Sequence, residues 1–555
     1  MTNLFTNPTL FFKQCTNFLD KFKSGYTPFK HIYSTPWPGE IENAYSVLRG
    51  YLIAHGTPVS ITEVMNVLMN SDHLKSNEEI YIHGFSWLQD LRSMNENAVR
   101  RIARKFISQW IEHNRKVKIR HKNNSIACAV MGERITNWII FFDFFGLSAD
   151  ETFLKSFYTS LHEQTSFLES AIKKTKGSSV LSIGLKGLIL SYIATNSVKK
   201  LQPTLDLFID VCKEQLSTDG SHVSGDSTIH FNLLRDALDV RSALRNTTID
   251  GSDSLAYIVY QMVPILRFSR LGDGKILSYE NSSYRKLASL HNPPSSLYID
   301  MVLSVADIKG RPLTKAVDMG FERLNSKTSQ LILNVLPRKD DFEQFYGPGT
   351  GVLNFEWNNA AHRIVSMGDI VIQTTKDEWL HCQNGPDIPQ VLHIDRKSKN
   401  GQYLLEADFE SILKKENTSI VNDSESYVFH HHRQLFLGDE DGDFRGQDRF
   451  LLATHALCAV RFVFPKEISL SLIKSSKTHS ALVKINKKEI HELREGLKRT
   501  PSMPQDKLWR FVCQNAEELS VHHNDNTGQS ALIVLARLQA DKPALIKWGF
   551  RLVQR

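Results

Sequence analysis

The sequence predicts an α+β protein of two domains: a helical half over residues 1–319, then an antiparallel β half over 320–555. From residue 95 to 268, apolar residues recur at three- and four-residue spacing with no strand pattern between them, which marks a series of amphipathic helices. From Gly320 the texture changes to short apolar runs punctuated by turn residues. At 555 residues the chain is also too long for one ordinary core.

In order, a first helix is expected from Glu42 to Ile53, and another begins in His83-Gly-Phe-Ser-Trp-Leu-Gln-Asp-Leu91. Asn95 to Asn114 places Val99, Ile102, Phe106 and Trp110 on one stripe. Ile135–Phe145, Asp150–Lys174, Val180–Ala194, Leu201–Leu216, Ile229–Leu244 and Ser252–Phe268 continue the helical period. The first of these stops at Gly146 and the second before Gly177, both helix-ending signals. Trp138 to Leu147 is too short to cross a bilayer and carries Asp143, so it reads as a buried helix and no membrane insertion is expected. A solenoid, a bundle and a closed toroid all satisfy this pattern. In the second half, strands are expected at Ser329–Leu336, Gly351–Trp357, His362–Met367, Ile370–Thr374, Tyr427–Leu437, Cys458–Phe464, Ser480–Ile485, Leu508–Cys513, Ser530–Leu538 and Ala544–Val553, enough for a sandwich.

Hydrophobic residues make up 41% of the chain and charged residues 23%, ordinary globular usage. The 67 basic against 60 acidic residues leave a net charge of +7, a mild preference for anionic partners. Arg115–Lys122 and Lys173–Lys176 are basic clusters, but a solvated surface explains them as well as a nucleic-acid contact, and nucleic acid is the least favoured partner. Six scattered cysteines form no CxxC pair and no disulfide framework. The absence of Walker, dinucleotide and nucleophile-elbow motifs gives nucleotide chemistry and serine hydrolysis no support, and no cofactor is expected. The N-terminus has no export signal, so a cytoplasmic location is the literal expectation, with periplasm or envelope as the alternative.

The stretch that carries chemistry is Asp219-Gly-Ser-His-Val-Ser-Gly-Asp-Ser-Thr-Ile-His230, a polar loop running into the helix anchored by Ile229, Leu233, Ala237, Val240 and Leu244. A helix start offers unpaired N–H groups and partial positive charge to an acidic ligand. The plainer explanation is that Asp226 or Ser227 caps the helix and the histidines bond locally. His430-His-His432 places His430 and His432 on one strand face with a third zinc ligand missing, and no metal is expected. Asp439–Asp443 lacks the spacing of a calcium loop and reads as a hairpin turn, while Arg445 and Arg449 either meet an anionic chain or pair with Asp443 or Asp448.

The ordered series His83–Leu91, Leu185–Ile189, Asp219–Ser224, Leu233–Leu238, Met262–Phe268, Gly272–Gly274, Gly320–Leu324 and Asp443–Arg449 resembles the bacterial heparinase II/III-like polysaccharide lyases over roughly residues 40 to 550. That resemblance implies an incomplete (α/α) toroid joined to an antiparallel β-sandwich. It also implies β-elimination at a uronate, an acidic polysaccharide as partner, and His222, His230 and Asp226 as catalytic candidates, with His83, Arg235 and Arg445 binding substrate. The chain departs from the family pattern at Gly225-Asp226-Ser227, where an Arg-Asn-Pro-like tripeptide is expected. It departs again at Pro386–Asp395, where only His393 substitutes for an expected histidine, and at Val421–Ser424, where an Asp-Gly-Tyr is expected. A glycan-binding protein that has lost the chemistry is therefore the alternative.

Overall fold

In the computed structural model, the described residues are 28–69, 74–114, 125–245, 247, 249, 251–277, 282–336, 351–374, 378–382, 391–415, 426–473, 479–485, 507–525 and 527–554. Arg115–Lys122, Pro386–Gln390 and Val421–Ser424 lie outside them. The chain forms two units: residues 1–217, 228–263 and 283–309 in one, and 218–227, 264–282 and 310–555 in the other.

The first unit is helical. Its main helices are Asn97–Asn114, Ser125–Ile140, Glu151–Ile172, Ser178–Thr195, Val198–Glu214 and Ser227–Leu244, the last entering the unit at Thr228. Ser178–Thr195 packs on Ser125–Ile140, Glu151–Ile172 and Val198–Glu214. Its length and hydropathy would suit a membrane span, but most of it is buried among these neighbours. Glycines set the closest approach: a Cβ on Gly132 would lie 2.6 Å from the Ile183 carbonyl oxygen, and one on Gly187 would lie 2.6 Å from that of Gly132. Asp150 starts its helix by accepting the Phe153 N–H at 2.8 Å, satisfying one orphan donor. Trp110, Trp138, Phe142 and Phe157 interlock as edge-on and tilted pairs, so Trp138–Leu147 is buried as expected, although the helix ends at Ile140 and restarts at Phe142.

One expectation fails here. The helix foreseen over Glu42–Ile53 stops at Leu48, and Tyr51–Ala54 pairs with Thr57–Ser60 as a hairpin. His55 and Gly56, both at positive φ (51° and 80°), form the tight two-residue turn whose twist matches paired strands, and local turn chemistry outweighs helical period.

The second unit is built on two antiparallel sheets. One runs, in spatial order, Lys315–Ala316, Phe321–Asn325, Ser329–Asn334, Phe355–Asn359, His362–Thr374, Ala456–Phe464, Ser530–Leu538 and Glu518–His523. The other runs Val391–Lys399, Gln402–Lys415, Ser426–Leu437, Phe444–Leu452, Ala544–Gln554, Leu508–Gln514, His479–Ile485 and Ile468–Ile473. Trp379–Cys382 ladders with a strand of each and joins them at one side. Between the sheets lies an aromatic core in which Trp357 meets Phe444 at 4.9 Å, Phe462 meets Trp548 at 4.9 Å, and Phe355 stacks on Trp548 at 5.5 Å. The two strands expected at His362–Met367 and Ile370–Thr374 are one continuous strand.

The outer face of the first sheet is apolar at Ile332, Met367, Val371, Val463 and Ile533, and it is covered by Ile265, Phe268, Leu271 and Leu277. This burial is why residues 264–282 belong to the β unit, a tertiary fact that sequence texture does not carry. Buried charge is paired across strands. Arg461 bonds Asp369 directly opposite it, and Arg433 meets Asp448 at 2.6 Å. Gly132→Ala should lower stability by about 1–3 kcal/mol in urea denaturation, because the carbonyl contact outweighs the roughly 1 kcal/mol gain in helix propensity.

Candidate functional site

The loop that begins at Asp219 is held by a reciprocal clasp. Asp219 accepts the Ser221 and Asp318 amides, each at 2.9 Å, while Asp318 accepts the Thr218 hydroxyl at 2.6 Å and the Asp219 amide at 3.0 Å. These bonds pull the Asp318 carboxyl below its ordinary range, led by the Thr218 hydroxyl. Gly220 and Gly225 sit at φ 83° and 64°, where glycine is preferred, and the Gly225 amide closes a turn on the His222 carbonyl at 2.8 Å.

Inside this turn the His222 ring is fixed in one tautomer. Its Nδ1 accepts the Ser224 amide at 3.0 Å and lies 2.8 Å from the Ser224 hydroxyl. A ring nitrogen that accepts a main-chain N–H carries no proton, so Nε2 carries it and acts as a donor. His230 carries its proton on the same nitrogen but is anchored through the opposite one. Its Nε2 lies 3.0 Å from the Met262 carbonyl, which can only accept, so the proton is on Nε2 and Nδ1 is the ring's lone-pair nitrogen. His222, Asp226 and His230 are each about 1% exposed. In the same loop the Ser221 and Ser227 hydroxyls, both buried, have no hydrogen-bond partner among the described residues. Buried hydroxyls are normally satisfied, so these two mark a place where a polar ligand would be accommodated.

Arg235 lies in the helical unit and does not stand alone. Its guanidinium holds Asp236 at 2.7 Å and donates to His291 Nε2 at 2.9 Å. Lys186, from the helix Ser178–Thr195, meets Asp236 at 2.6 Å and Asp239 at 3.1 Å, and Asp239 also accepts the Trp37 indole N–H at 2.8 Å. Glu133 completes the cluster, 3.5 Å from His291 Nε2. Because that nitrogen already accepts from Arg235, it has no proton for Glu133, consistent with burial and Arg235 holding the His291 pKa down. Burial by itself raises the Glu133 pKa, but the Lys186 and Arg235 cations hold the carboxyl below its usual range. The one sequence signal for this cluster is Lys186, a single charge inside the apolar run Leu185–Leu190.

The remaining candidates are placed elsewhere. His83 ends the helix Asn77–Gly84, and its Nδ1 accepts the Trp110 indole N–H at 3.2 Å. Burial, reinforced by Arg134, lowers its pKa to about 3. Arg445 is bound in two-pronged fashion to Asp443, at 2.7 Å for each prong, while its side chain stays 63% exposed. His431 points inward to Asp448 at 2.9 Å, whereas His430 and His432 lie on the opposite face beside Glu410 and Asp408. Asp439–Asp443 is the turn between two strands, with Gly442 at φ 71°. Among the described residues, no three His, Cys, Asp or Glu side chains are grouped to hold a metal.

No protein-family model matches the chain, and no curated protein does. Among solved structures, a heparinase III matches with a TM-score of 0.56 at 11% identity, covering 97% of this chain and 89% of that one. The fold is that of heparinase III. It is an (α/α) toroid followed by an antiparallel β-sandwich, the class expected from the sequence. A second heparinase III structure matches at TM-score 0.50 and 11% identity, over 97% of this chain and 88% of that one. Heparan sulfate lyase HepC from Pedobacter heparinus matches at TM-score 0.45 and 14% identity, over 92% and 82%.

Lys186→Met removes one partner of a buried network and should cost about 3–5 kcal/mol by denaturant unfolding. His83 gives a pH signature. Its folded pKa of about 3 lies below the ordinary 6.5, so the unfolded chain binds more protons between those values. Its contribution is present above pH 6.5 and lost as pH falls through that window. Asp90, raised to about 7 by burial, acts with the opposite sign there. The diagnostic quantity is thus the stability difference between wild type and His83→Gln, which should shrink as pH drops from 7 towards 4.

Proposed function

We propose that the chain is a polysaccharide lyase that cleaves a uronate-containing acidic polysaccharide by β-elimination. The observation that carries this reading is the pair of imidazoles in and just after one loop, both protonated on Nε2 but anchored by main-chain groups through opposite nitrogens, on a fold otherwise seen in heparinase III. In the reaction a base removes the C5 proton, the released electron pair forms the C4=C5 double bond, and the C4–O bond breaks as the departing oxygen takes a proton from water, the base returning its own to solvent. The His222 Nε2–H is the donor that neutralises the uronate carboxylate and so acidifies C5. His230 Nδ1, with the opposite nitrogen anchored on the Met262 carbonyl, is the base. The Ser221 and Ser227 hydroxyls bond the sugar, and Asp226 orients it. Arg235 acts through the buried cluster that fixes the helix beneath His230, while His83 supports the neighbouring helices and Arg445 meets the polymer at the surface. The 1% exposure of both rings requires the loop to open before a chain enters.

One observation favours a second reading, a glycan-binding protein without turnover. Asp226 stands where the resembling family carries a neutral amide, and a carboxylate there opposes a uronate. The deciding experiment is ultraviolet absorbance of the unsaturated uronate product with heparan, chondroitin, alginate and glucuronan polymers. A rise on one polymer, lost at least 100-fold in His222→Ala and His230→Ala with melting temperatures unchanged, is the expected result. A flat trace for the folded wild type with measurable polymer binding would establish the second reading, and Asp226→Asn should then strengthen that binding.

A further inference from the structure

Residues 218–227 belong to the β unit, although residues 217 and 228 on either side of them do not. One turn ties them there. Lys315–Ala316 and Phe321–Asn325 pair as a hairpin whose four-residue connection, 317–320, closes with the Gly320 amide on the Val317 carbonyl at 3.1 Å. Gly320, at φ 76°, supplies the left-handed corner of that turn. The turn is fixed on its inner side and open on its outer: Ala316 and Met319 are buried in the cluster that includes Phe268 and Leu271, while Val317 and Asp318 face solvent.

From this fixed point a series of hydrogen bonds runs to the His222 ring. The Asp318 amide donates to one Asp219 carboxylate oxygen at 2.9 Å, and the other oxygen accepts the Ser221 amide at 2.9 Å. His222 follows at once, with its carbonyl accepting the Gly225 amide and its Nδ1 accepting the Ser224 amide. In return, one Asp318 oxygen accepts both the Thr218 hydroxyl and the Asp219 amide. The two carboxylates are thus used differently: Asp219 employs both oxygens on main-chain N–H groups, and Asp318 employs one.

The tie is also releasable. Asp318 is exposed, so water competes for its hydrogen bonds, whereas the His222 ring behind them is about 1% exposed. Val223, between the buried His222 and Ser224, is 53% exposed, so the closed loop gains little apolar burial at its tip that would resist opening.

We infer that Asp318 is a positioning residue for His222: by holding Asp219, the hairpin turn sets the direction of the ring and governs how often the loop opens. Asp318 touches neither the ring nor a sugar and acts only through Asp219. That the positioned ring serves elimination rests on the function proposed above; the latch itself does not.

Hydrogen exchange of the full chain, read at the Ser221, Ser224 and Gly225 amides, none of which Asp318 touches, tests this. Asp318→Ala should speed exchange there by about ten-fold or more, with Phe321–Asn325 and the melting temperature unchanged. Asp318→Asn should stay within about two-fold of wild type, because the single oxygen that accepts both bonds is kept. Asp219→Asn should behave like Asp318→Ala, because its amide nitrogen would face a main-chain N–H. On a polymer that the wild type cleaves, Asp318→Ala should lower kcat by about ten-fold or more with KM within about two-fold, and Asp318→Asn should restore it. Unchanged exchange in Asp318→Ala, equal acceleration across Phe321–Asn325, or an Asp318→Asn variant as fast as the alanine one would each overturn the proposal. Flat product absorbance with the expected exchange pattern would sink the lyase reading and leave the latch standing; product absorbance with unchanged exchange would do the reverse.

Discussion

Lys186 must keep a full positive charge with its side chain about 1% exposed, and much of the helical unit is arranged around that requirement. An isolated ammonium in such a place is unfavourable by several kcal/mol, so it survives only where carboxylates meet it at hydrogen-bonding distance. Asp236 and Asp239 do so from a single helix, three residues apart and therefore on one side of it. Arg235 also bonds Asp236, and His291 and Glu133 extend the network. The rotation of the helix Ser227–Leu244 about its axis is thereby fixed. Hydrophobic packing is tolerant of small rotations, whereas ion pairs near 3 Å are not, and His230 inherits its direction from that precision.

The same logic recurs in the β unit with different residues. Arg433, His431 and the Trp548 indole all converge on Asp448, whose carboxyl is held well below its usual range by Arg433 and His431 despite burial. The sandwich core around it is aromatic and would permit several registers; a charge that must find its partner permits one. Both units thus combine forgiving apolar bulk with a small number of exacting polar contacts.

What the sequence makes legible follows from the range of the interactions involved. The long helices and most strands of the core are visible because period and turn residues act locally, as at Asp150, whose side chain caps the very next turn. The Tyr51–Ser60 hairpin was hidden because its His-Gly turn sits inside an apolar run that also fits a helix. Strands such as Gln402–Lys415 escape notice because Glu406, Asp408 and Glu410 alternate with the inward Leu405, Ala407 and Phe409 and break up any continuous apolar run. Of the candidate site, the loop and both histidines could be read directly, yet the tautomers could not, since each is set by one main-chain group. The Glu133, Lys186 and His291 cluster joins positions far apart in the chain, and no local pattern links them.

The assignment of residues 264–282 to the β unit has an evolutionary reading. The outer face of the first sheet is apolar and is finished by Phe268, Leu271 and Leu277, which the chain supplies before the sandwich itself begins. A gene fragment starting at residue 310 would therefore encode sheets with an uncovered greasy flank. Exchange of β halves between relatives of this fold cannot occur by one crossover at the apparent junction; the incoming sandwich must bring its own stretch of helix end with it. Inheritance of the two halves is thereby tied together, and they are expected to diverge as a pair and not as interchangeable parts.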